Sequence, residues 1–327
     1  TNDSTHATAA LVGILNTLLV AFVGCILATV VGVFVGILRL SKNWIIAKLM
    51  SIYIEGFRNV PVLLWIVMVF ALLTEFTPQP RAFKGENPDA SMILFDSIAV
   101  TNRGTYLPSP QWGSGSIWLI LVFLISILGI IIFRRYASNI QKNTGRKLPV
   151  LWVSLAIFFI PSTIFYFILG SPVTLEYPYL KGFNFKDGIH VRNSFIALTL
   201  ALAFYTSAFI GEIVRSGIMA ISKGQTEAAA ALGMRPNRIM SLIILPQALR
   251  VIVPPMISQY LNLTKNSSLA IAVGYMDVRG TLGGITLNQT GREMESMVLL
   301  MGFYLMVSLL ISSVINYFNR SFQLVGK

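Results

Sequence analysis

Charged and hydroxyl side chains stand inside or beside long apolar stretches at three places in this sequence of 327 residues. They are Glu55 and Arg58, then Glu212 and Arg215, then Lys265, Ser267 and Ser268. The first pair is followed directly by Asn59 and Pro61. A charged group near the centre of a bilayer costs about 2.5 to 3.5 kcal/mol on insertion scales, so it usually faces other helices and has a partner. Groups of both signs at such depth suit the recognition of a small charged solute.

Bond-breaking chemistry is not indicated, and no catalytic residue or metal ligand is expected. His6 and His190 have no Cys or carboxylate at metal-ligand spacing. The Gly-rich stretch 280–284 lacks the Lys and the preceding strand of a phosphate-binding loop. The chain is therefore expected to bind no cofactor and to hydrolyse no ATP itself.

The elements that position these residues are membrane helices. With 55% apolar and 12% charged residues, the chain has too little polar surface for an ordinary soluble domain. Most of its charge-free runs hold the roughly 20 residues that a spanning helix needs. They are 4–38, 59–74, 104–133, 148–175, 193–211, 251–264 and 296–319. The sequence predicts an all-α, polytopic membrane bundle with about seven spans, forming one transmembrane domain over 1–327.

The second run has only 16 residues, 59–74, and must borrow residues from about Leu49 onward. Glu55 and Arg58 then lie at membrane depth, and Pro61 predicts a broken helix after Arg58. Backbone donors exposed at such a break can bind the charged end of a substrate. Alternatively, Glu55 and Arg58 form a structural pair three residues apart.

The other charged groups also have structural alternatives. Arg215 can reach the cytoplasmic headgroups and anchor its helix. Lys265 can pair with Glu212 or cap a helix break. The small residues Gly24, Gly32 and Gly36 suit close helix contact, although such spacing is also common in helices that face lipid.

The basic residues predict the orientation of the chain. The stretch 134–147 contains five Lys or Arg and 39–48 contains three, without an acid in either, so both should face the cytoplasm. The mixed-charge segments 77–115 and 171–193 are interpreted as outside loops. Seven crossings then place Thr1 outside and Lys327 in the cytoplasm. Because the net charge of +12 lies in short connections, nucleic acid is not an expected partner.

A polar segment at 222–246 has the pattern of two short helices joined by a turn. Thr226 is predicted as the N-cap with Glu227 in the first turn, and Gly233 ends the helix or lets another surface approach. Arg235 and Pro236 turn the chain into the next helix. Small residues on a short capped helix suit docking into a partner's groove.

This segment resembles the cytoplasmic "EAA" loop of bacterial ABC importer permeases. The residues that match this loop are Glu227, Ala228, Ala229, Gly233, Ile243, Leu245 and Pro246. The resemblance implies that an ATPase is contacted through Glu227, Ala228, Ala229, Gly233, Arg235, Leu245 and Pro246. The segments 16–18, 53–61, 223–225, 246–250 and 265–269 are similar to the polar amino-acid subgroup of those permeases. The resemblance covers 11–76 and 190–320. At 266–267, Asn-Ser replaces the Thr-Ser commonly seen there.

The resemblance implies a type I importer permease in the bacterial inner membrane. Such a chain pairs with a second permease subunit in a heterodimer, docks two copies of a cytoplasmic ABC ATPase that bind ATP and Mg, and receives substrate from an extracytoplasmic binding protein. The inserted region 77–192, with two extra helices between outer loops, resembles larger subunits of general L-amino-acid importers, which often act on glutamate, glutamine, aspartate and asparagine. An ion-coupled secondary transporter of a small polar solute is the alternative, since it would also have buried charges and broken helices.

The substrate-binding residues expected on this basis come from all three charged groups. They are Glu55, Arg58, Asn59, Pro61, Glu212, Lys265, Ser267 and Ser268. The carboxylate of an amino acid would be bound by Arg58, by the backbone after it or by Lys265, and its ammonium by acceptors opposite.

Overall fold

The computed structural model describes residues 5–84, 89–145 and 148–323, and side chains as far as residue 313. Thr1 and Lys327, together with Arg146 and Lys147 of the basic loop, lie outside the described residues. The chain forms two compact units. The first consists of 1–77 and 192–327, and the second of 78–191.

Helices account for most of the described residues. They are α1 His6–Arg39, α2 Trp44–Asn59, α3 Val62–Glu75, α4 Ser116–Thr144, α5 Val150–Ile168, α6 Asn193–Met219, α7 Lys223–Ala231, α8 Pro236–Ile239, α9 Leu245–Asn266, α10 Val278–Gly280, α11 Leu287–Thr290 and α12 Glu293–Gln323. Short 3-10 turns cover Pro80–Phe83 and Ser267–Val273, and π turns cover Met240–Ile244 and Thr281–Thr286.

Six helical stretches are long and apolar enough to cross a membrane, and the bent pair α2 and α3 is a seventh if it counts as one span. The six are α1, α4, α5, α6, Pro236–Val273 and Glu293–Ser313. In the part of the chain that the structure describes, the predicted helical membrane bundle of about seven spans is therefore confirmed.

The predicted break in the second span is also confirmed. Helix α2 ends at Asn59, α3 begins at Val62, and their axes differ by 106°. Pro61 disfavours the helical conformation at the residue before it, and Val60 is accordingly extended, with φ −106° and ψ 133°. The proline therefore turns the chain where the helix would otherwise continue.

Helix α6 is the centre of the first unit and packs against α1, α2, α3 and α9. Glycines of α1 allow the closest of these contacts. A Cβ atom added at Gly36 would lie 2.6 Å from the carbonyl oxygen of Gly211, and one at Gly32 would lie 2.7 Å from Cβ of Ile210. Close helix contact, and not a lipid-facing surface, is therefore the role of this glycine stripe.

One backbone carbonyl accepts hydrogen bonds from both sides of the interruption in the first unit, which lies between residues 77 and 192. The oxygen of Leu73 accepts a hydrogen bond from Thr77 Oγ1 at 2.6 Å and another from Asn193 Nδ2 at 3.3 Å. Thr77 is the last residue before 78–191, and Asn193 is the first residue of α6. The chain thus leaves and rejoins the first unit at nearly the same point.

The second unit contains α4, α5 and three small antiparallel sheets. The sheets are β1 Ala99–Thr101, β2 Gly104–Leu107 and β7 Ile189–Val191, then β3 Ser109–Trp112 with β4 Val173–Glu176, and β5 Tyr179–Lys181 with β6 Asn184–Lys186. Tyr106 of β2 pairs in register with His190 of β7, and their rings stack with centroids 4.4 Å apart. These strands lie in ranges that the sequence analysis interprets as loops. The sequence does not reveal them, because three or four residues are too few to show the alternating pattern of a strand.

Candidate functional site

An ion-pair cluster joins the ends of α1 and α6. Glu212 forms ion pairs with Arg39 of α1 and with Arg215 one turn along α6, where Nη2 of Arg215 lies 2.6 Å from Oε1. Nη2 of Arg39 also donates to Ser51 Oγ of α2 at 3.4 Å. The side chains of Arg39 and Glu212 are only 18% and 26% exposed. Both oxygens of Glu212 therefore face cations that belong to this chain.

This cluster corrects the expectation that Lys265 pairs with Glu212. Arg39 and Arg215 occupy that carboxylate, and within the described ranges Lys265 forms no ion pair. The sequence could identify Glu212 and Arg215 from their spacing. It could not identify Arg39 as the third member, because that contact spans 173 residues.

The residues at the break between α2 and α3 do not form the i,i+3 pair offered as a structural alternative. Glu55 accepts a hydrogen bond from Asn59 Nδ2 at 3.4 Å. The guanidinium of Arg58 lies over the ring of Phe209 on α6, 5.3 Å from its centroid, a cation–π arrangement. Glu55, Arg58 and Asn59 are all exposed in this chain, and so is Pro61. The charges at the bend are therefore accessible to a ligand or a partner.

The third predicted group lies where α9 passes into the 3-10 turn. Lys265 is exposed, next to the last residue of α9. Ser267 is buried, and its hydroxyl donates to the carbonyl of Thr264 at 2.7 Å. Ser268 is half-buried, and its carbonyl accepts from Arg279 Nη1 at 3.2 Å. Lys265 is accessible, whereas the hydroxyl of Ser267 serves the backbone.

Helix α7 presents most of its surface to solvent. Glu227 and Ala228 are exposed, and Ala229 is the buried residue of this helix. The prediction of Thr226 as the N-cap is wrong, because the helix begins at Lys223, one turn earlier. Ser222 takes the N-cap position with extended backbone, and its carbonyl already accepts from the N–H of Gln225 at 3.1 Å. Glu227 therefore lies inside the helix and not in its first turn.

The end of α7 follows the prediction for Gly233, which has φ +75°. The N–H of Gly233 donates to the carbonyl of Ala230 at 2.9 Å, and the N–H of Met234 donates to that of Ala229 at 3.2 Å. These two bonds close the helix as a left-handed glycine cap does. Nothing lies within 4 Å of a Cβ atom placed on Gly233, so its outer face is open.

The chain after this cap is tied back to α7. Arg235, exposed, is the N-cap of α8, and Pro236 is its first residue, a position that needs no N–H. A π turn leads into α9, where Leu245 and Pro246 are both exposed. The adjacent Gln247 donates to the carbonyl of Ile243 at 3.0 Å and to Gln225 of α7 at 3.5 Å. Residues 222–246 together form the α7–α9 elbow.

Sequence reasoning missed a second polar cluster, which lies around the start of α10 and includes a hydrogen bond to α1. Asp277 is fully buried and accepts from the N–H of Gly280 at 2.8 Å and from Tyr304 Oη at 3.4 Å. Thr17 of α1 accepts from the N–H of Val278 at 3.0 Å. An acid just before a short polar turn is an N-cap signal that could have identified Asp277, whereas its contacts with other helices leave no local trace.

Known proteins similar to this chain are membrane permeases. Residues 143–322 match the family described as "Binding-protein-dependent transport system inner membrane component". The glutamate/glutamine/aspartate/asparagine transport system permease protein BztB of Rhodobacter capsulatus is 52% identical over 99% of this chain and 81% of its own length. The general L-amino acid transport system permease protein AapQ of Rhizobium johnstonii is 44% identical over 100% of this chain and 79% of its own.

The fold is also similar to that of a solved structure. An amino acid ABC transporter crystallised with histidines superposes with a TM-score of 0.55 over 96% of this chain and 94% of the other, at 19% identity. At that identity the similarity concerns the fold alone.

Proposed function

The chain belongs to the family of binding-protein-dependent transport system inner membrane components, and from that membership we propose that it forms half of the pore of an ATP-driven importer of polar L-amino acids. It is a multi-pass transport subunit of the inner membrane. The observation that carries the proposal is the exposed α7–α9 elbow in a chain related over 99% of its length to a glutamate/glutamine/aspartate/asparagine permease.

The partners in this proposal are those that membership of the family implies. A second permease subunit completes the pore, preferably as a heterodimer, and an extracytoplasmic binding protein delivers the substrate. Two copies of a cytoplasmic ABC ATPase bind ATP and Mg and hydrolyse the nucleotide. The exposed Glu227 and Ala228 and the open face of Gly233 support contact between the elbow and one ATPase. Contact with a cytoplasmic ATPase places the elbow in the cytoplasm, and in that orientation Thr1 lies outside and Lys327 in the cytoplasm.

Coupling in the proposed transporter runs from the elbow into α6. Helix α6 ends at Met219, three residues before the elbow, and packs along α1 through Gly32 and Gly36. The ion pair of Arg39 with Glu212 ties the same two helices near that end. A push on the elbow when the ATPases close would therefore move α1 and α6 together and change which side of the membrane reaches the substrate.

Within the predicted substrate-binding set, the contacts favour Arg58 and Lys265 as the cations for the substrate carboxylate. Both are exposed, and neither forms an ion pair in the part of the chain that the structure describes. Glu55, Asn59 and Ser268 are accessible enough to serve as hydrogen-bonding partners.

The remaining three residues of that set have other contacts. Glu212 would have to release an arginine to bind an ammonium group, so we assign it to the tie between α1 and α6. Pro61 fixes the bend, and Ser267 supports the backbone.

An uptake assay tests the proposal. The chain is co-purified with its ATPase and second permease and reconstituted in vesicles with the binding protein and labelled glutamate. Uptake should require ATP, resist ionophores and be reduced by unlabelled glutamine, aspartate or asparagine. Replacing the phosphate-loop Lys of the ATPase should abolish it. The ion-coupled alternative has no counterpart among BztB, AapQ and the crystallised transporter. Uptake that persists without ATP and collapses with an ionophore would replace our proposal with it.

A further inference from the structure

A groove of about 460 Å³ lies beside the ion-pair cluster, between the end of α1, the first half of α2 and the last turn of α6. The polar and aromatic residues that matter in its lining are Arg39, Trp44, Lys48, Ser51 and Arg215. The proposed uptake mechanism uses Arg39 as the ion-pair partner of Glu212 but assigns no ligand to this groove.

The groove carries an excess of positive charge. Three cations line it. Among the described residues the one acid that forms ion pairs with them is Glu212, which neutralises one charge, so two remain. Lys48 is exposed and is in no ion pair among the residues described. A guanidinium keeps further N–H donors after one carboxylate contact, and Arg39 and Arg215 share one carboxylate. The complementary ligand is therefore an anion with several acceptor oxygens.

The position of the groove along α1 places it near the headgroup level. Helix α1 has 34 residues, which span about 51 Å, whereas the hydrocarbon core of a bilayer is about 30 Å thick. Arg39 is the last residue of that helix. Trp44, which is 75% exposed, begins α2 at the same place, as an interfacial anchor does.

An apolar stripe runs along α2 beside the cations. Ile45, Leu49 and Ile52 are 59%, 55% and 58% exposed, and their spacing of four and three residues puts them on one helical face. Each follows by one position a residue that lines the groove, namely Trp44, Lys48 and Ser51. A ligand with a charged head and a long apolar tail matches both surfaces.

We propose that this groove binds the headgroup of an acidic phospholipid, whose phosphate contacts Arg39, Lys48 and Arg215 and whose acyl chains lie along Ile45, Leu49 and Ile52. The bound phosphate holds α1, α2 and α6 together just before the α7–α9 elbow. Basic pockets between membrane helices are suited to acidic headgroups. The inference does not depend on which solute is transported.

Native mass spectrometry of the purified transporter tests the proposal. The complex is delipidated in detergent and titrated with phosphatidylglycerol, with phosphatidylcholine of the same acyl chains, and with glycerophosphate as a tail-free anion. Lys48→Gln should weaken phosphatidylglycerol binding by about fivefold, which is the change in affinity expected when one basic residue near an acidic membrane surface is lost. Lys48→Arg should preserve the affinity. Lys42→Gln is the matched control, because Lys42 lies in the adjacent connection between α1 and α2 but does not line the groove.

Four results would overturn the proposal. If Lys48→Gln and Lys42→Gln weaken phosphatidylglycerol binding equally, the basic residues attract the lipid through a diffuse electrostatic field and form no specific site. If phosphatidylcholine binds as tightly as phosphatidylglycerol, the groove does not require an acidic headgroup. If glycerophosphate binds as tightly, the groove does not require a lipid. If the isolated chain binds phosphatidylglycerol but the assembled transporter does not, a partner subunit covers the groove instead.

Discussion

Arg39, the last residue of α1, forms an ion pair with Glu212 of α6, 173 residues further along the chain. The same carboxylate binds Arg215. This contact lies toward the end of α6 that leads into the α7–α9 elbow, so it ties the proposed coupling element to a second membrane helix.

The first prediction concerns the coupling between Arg39 and Glu212. Arg39→Ala should lower stability by about 1 to 3 kcal/mol, and Glu212→Ala by more, because it leaves two cations without their acid. The double variant should lose less than the sum of the two. Thermal unfolding midpoints of the purified transporter measure this, with Lys42→Ala as the exposed control. Strict additivity would show that the pair is not coupled.

The second prediction concerns Gly233, the cap of α7. Gly233→Arg puts a side chain on a left-handed residue and fills its open face. We expect stimulation of the ATPase by substrate-loaded binding protein to fall at least about tenfold, the effect of losing about 1.4 kcal/mol of docking energy. Gly291→Arg is the matched control, since Gly291 has φ +65° and equally open surroundings. If both variants lose stimulation alike, backbone strain and not docking is responsible.

The third prediction concerns the packing of α1 on α6. Gly36→Ala puts a Cβ atom 2.6 Å from a backbone oxygen and 2.8 Å from Cβ of Val214, which cannot both move aside. We expect a destabilisation of about 1 to 3 kcal/mol, visible as a lower unfolding midpoint and a lower yield of complex. Gly302→Ala in α12, where nothing lies within 4 Å, should be neutral or slightly stabilising. Equal midpoints for the two variants would contradict the packing.

The fourth prediction concerns Asp277, the buried cap of α10. Asp277→Ala removes the acceptor for the N–H of Gly280 and should cost about 1 to 2 kcal/mol, whereas Asp277→Asn should retain most of the stability. Thr5→Ala removes the exposed cap of α1, which accepts from Thr8, and should cost less because that end is free to fray. The thermal unfolding midpoints of the three variants measure these losses of stability. An Asn variant as unstable as the Ala variant would show that the charge matters and not the cap.

The fifth prediction concerns the two accessible cations of the proposed substrate site. Arg58→Ala and Lys265→Ala should each raise the KM for glutamate uptake by about 10- to 100-fold, the range expected when a hydrogen bond to a charged group is lost. Arg58→Lys should recover part of the loss. Lys42→Ala removes an exposed charge elsewhere and should leave KM unchanged. Normal uptake by both Ala variants would place the substrate site on other residues.

Features that depend on neighbouring residues in the sequence are predictable. The span count follows from apolar runs, the break follows from Pro61, and the end of α7 follows from Gly233. Each of these is decided within one or two helical turns, by solvation or by the backbone limits of Pro and Gly. The start of α7 is harder to place because Ser222 and Thr226 are both suitable caps by type.

Features that depend on distant residues are not predictable. The sequence indicates only a basic loop residue at Arg39, although it is a partner of Glu212, and gives Asp277 no role although it is fully buried. A single sequence contains no signal for a contact between helices far apart in the chain. The strands of the second unit, at three or four residues each, are also too short to show an alternating pattern.

The carbonyl of Leu73, which accepts hydrogen bonds from both Thr77 and Asn193, keeps the two ends of the 114-residue segment 78–191 close together. Since the flanking residues share one acceptor oxygen, a connector of only a few residues is long enough to bridge them. We therefore expect that an engineer can shorten or exchange that segment without changing the distance between the residues that flank it.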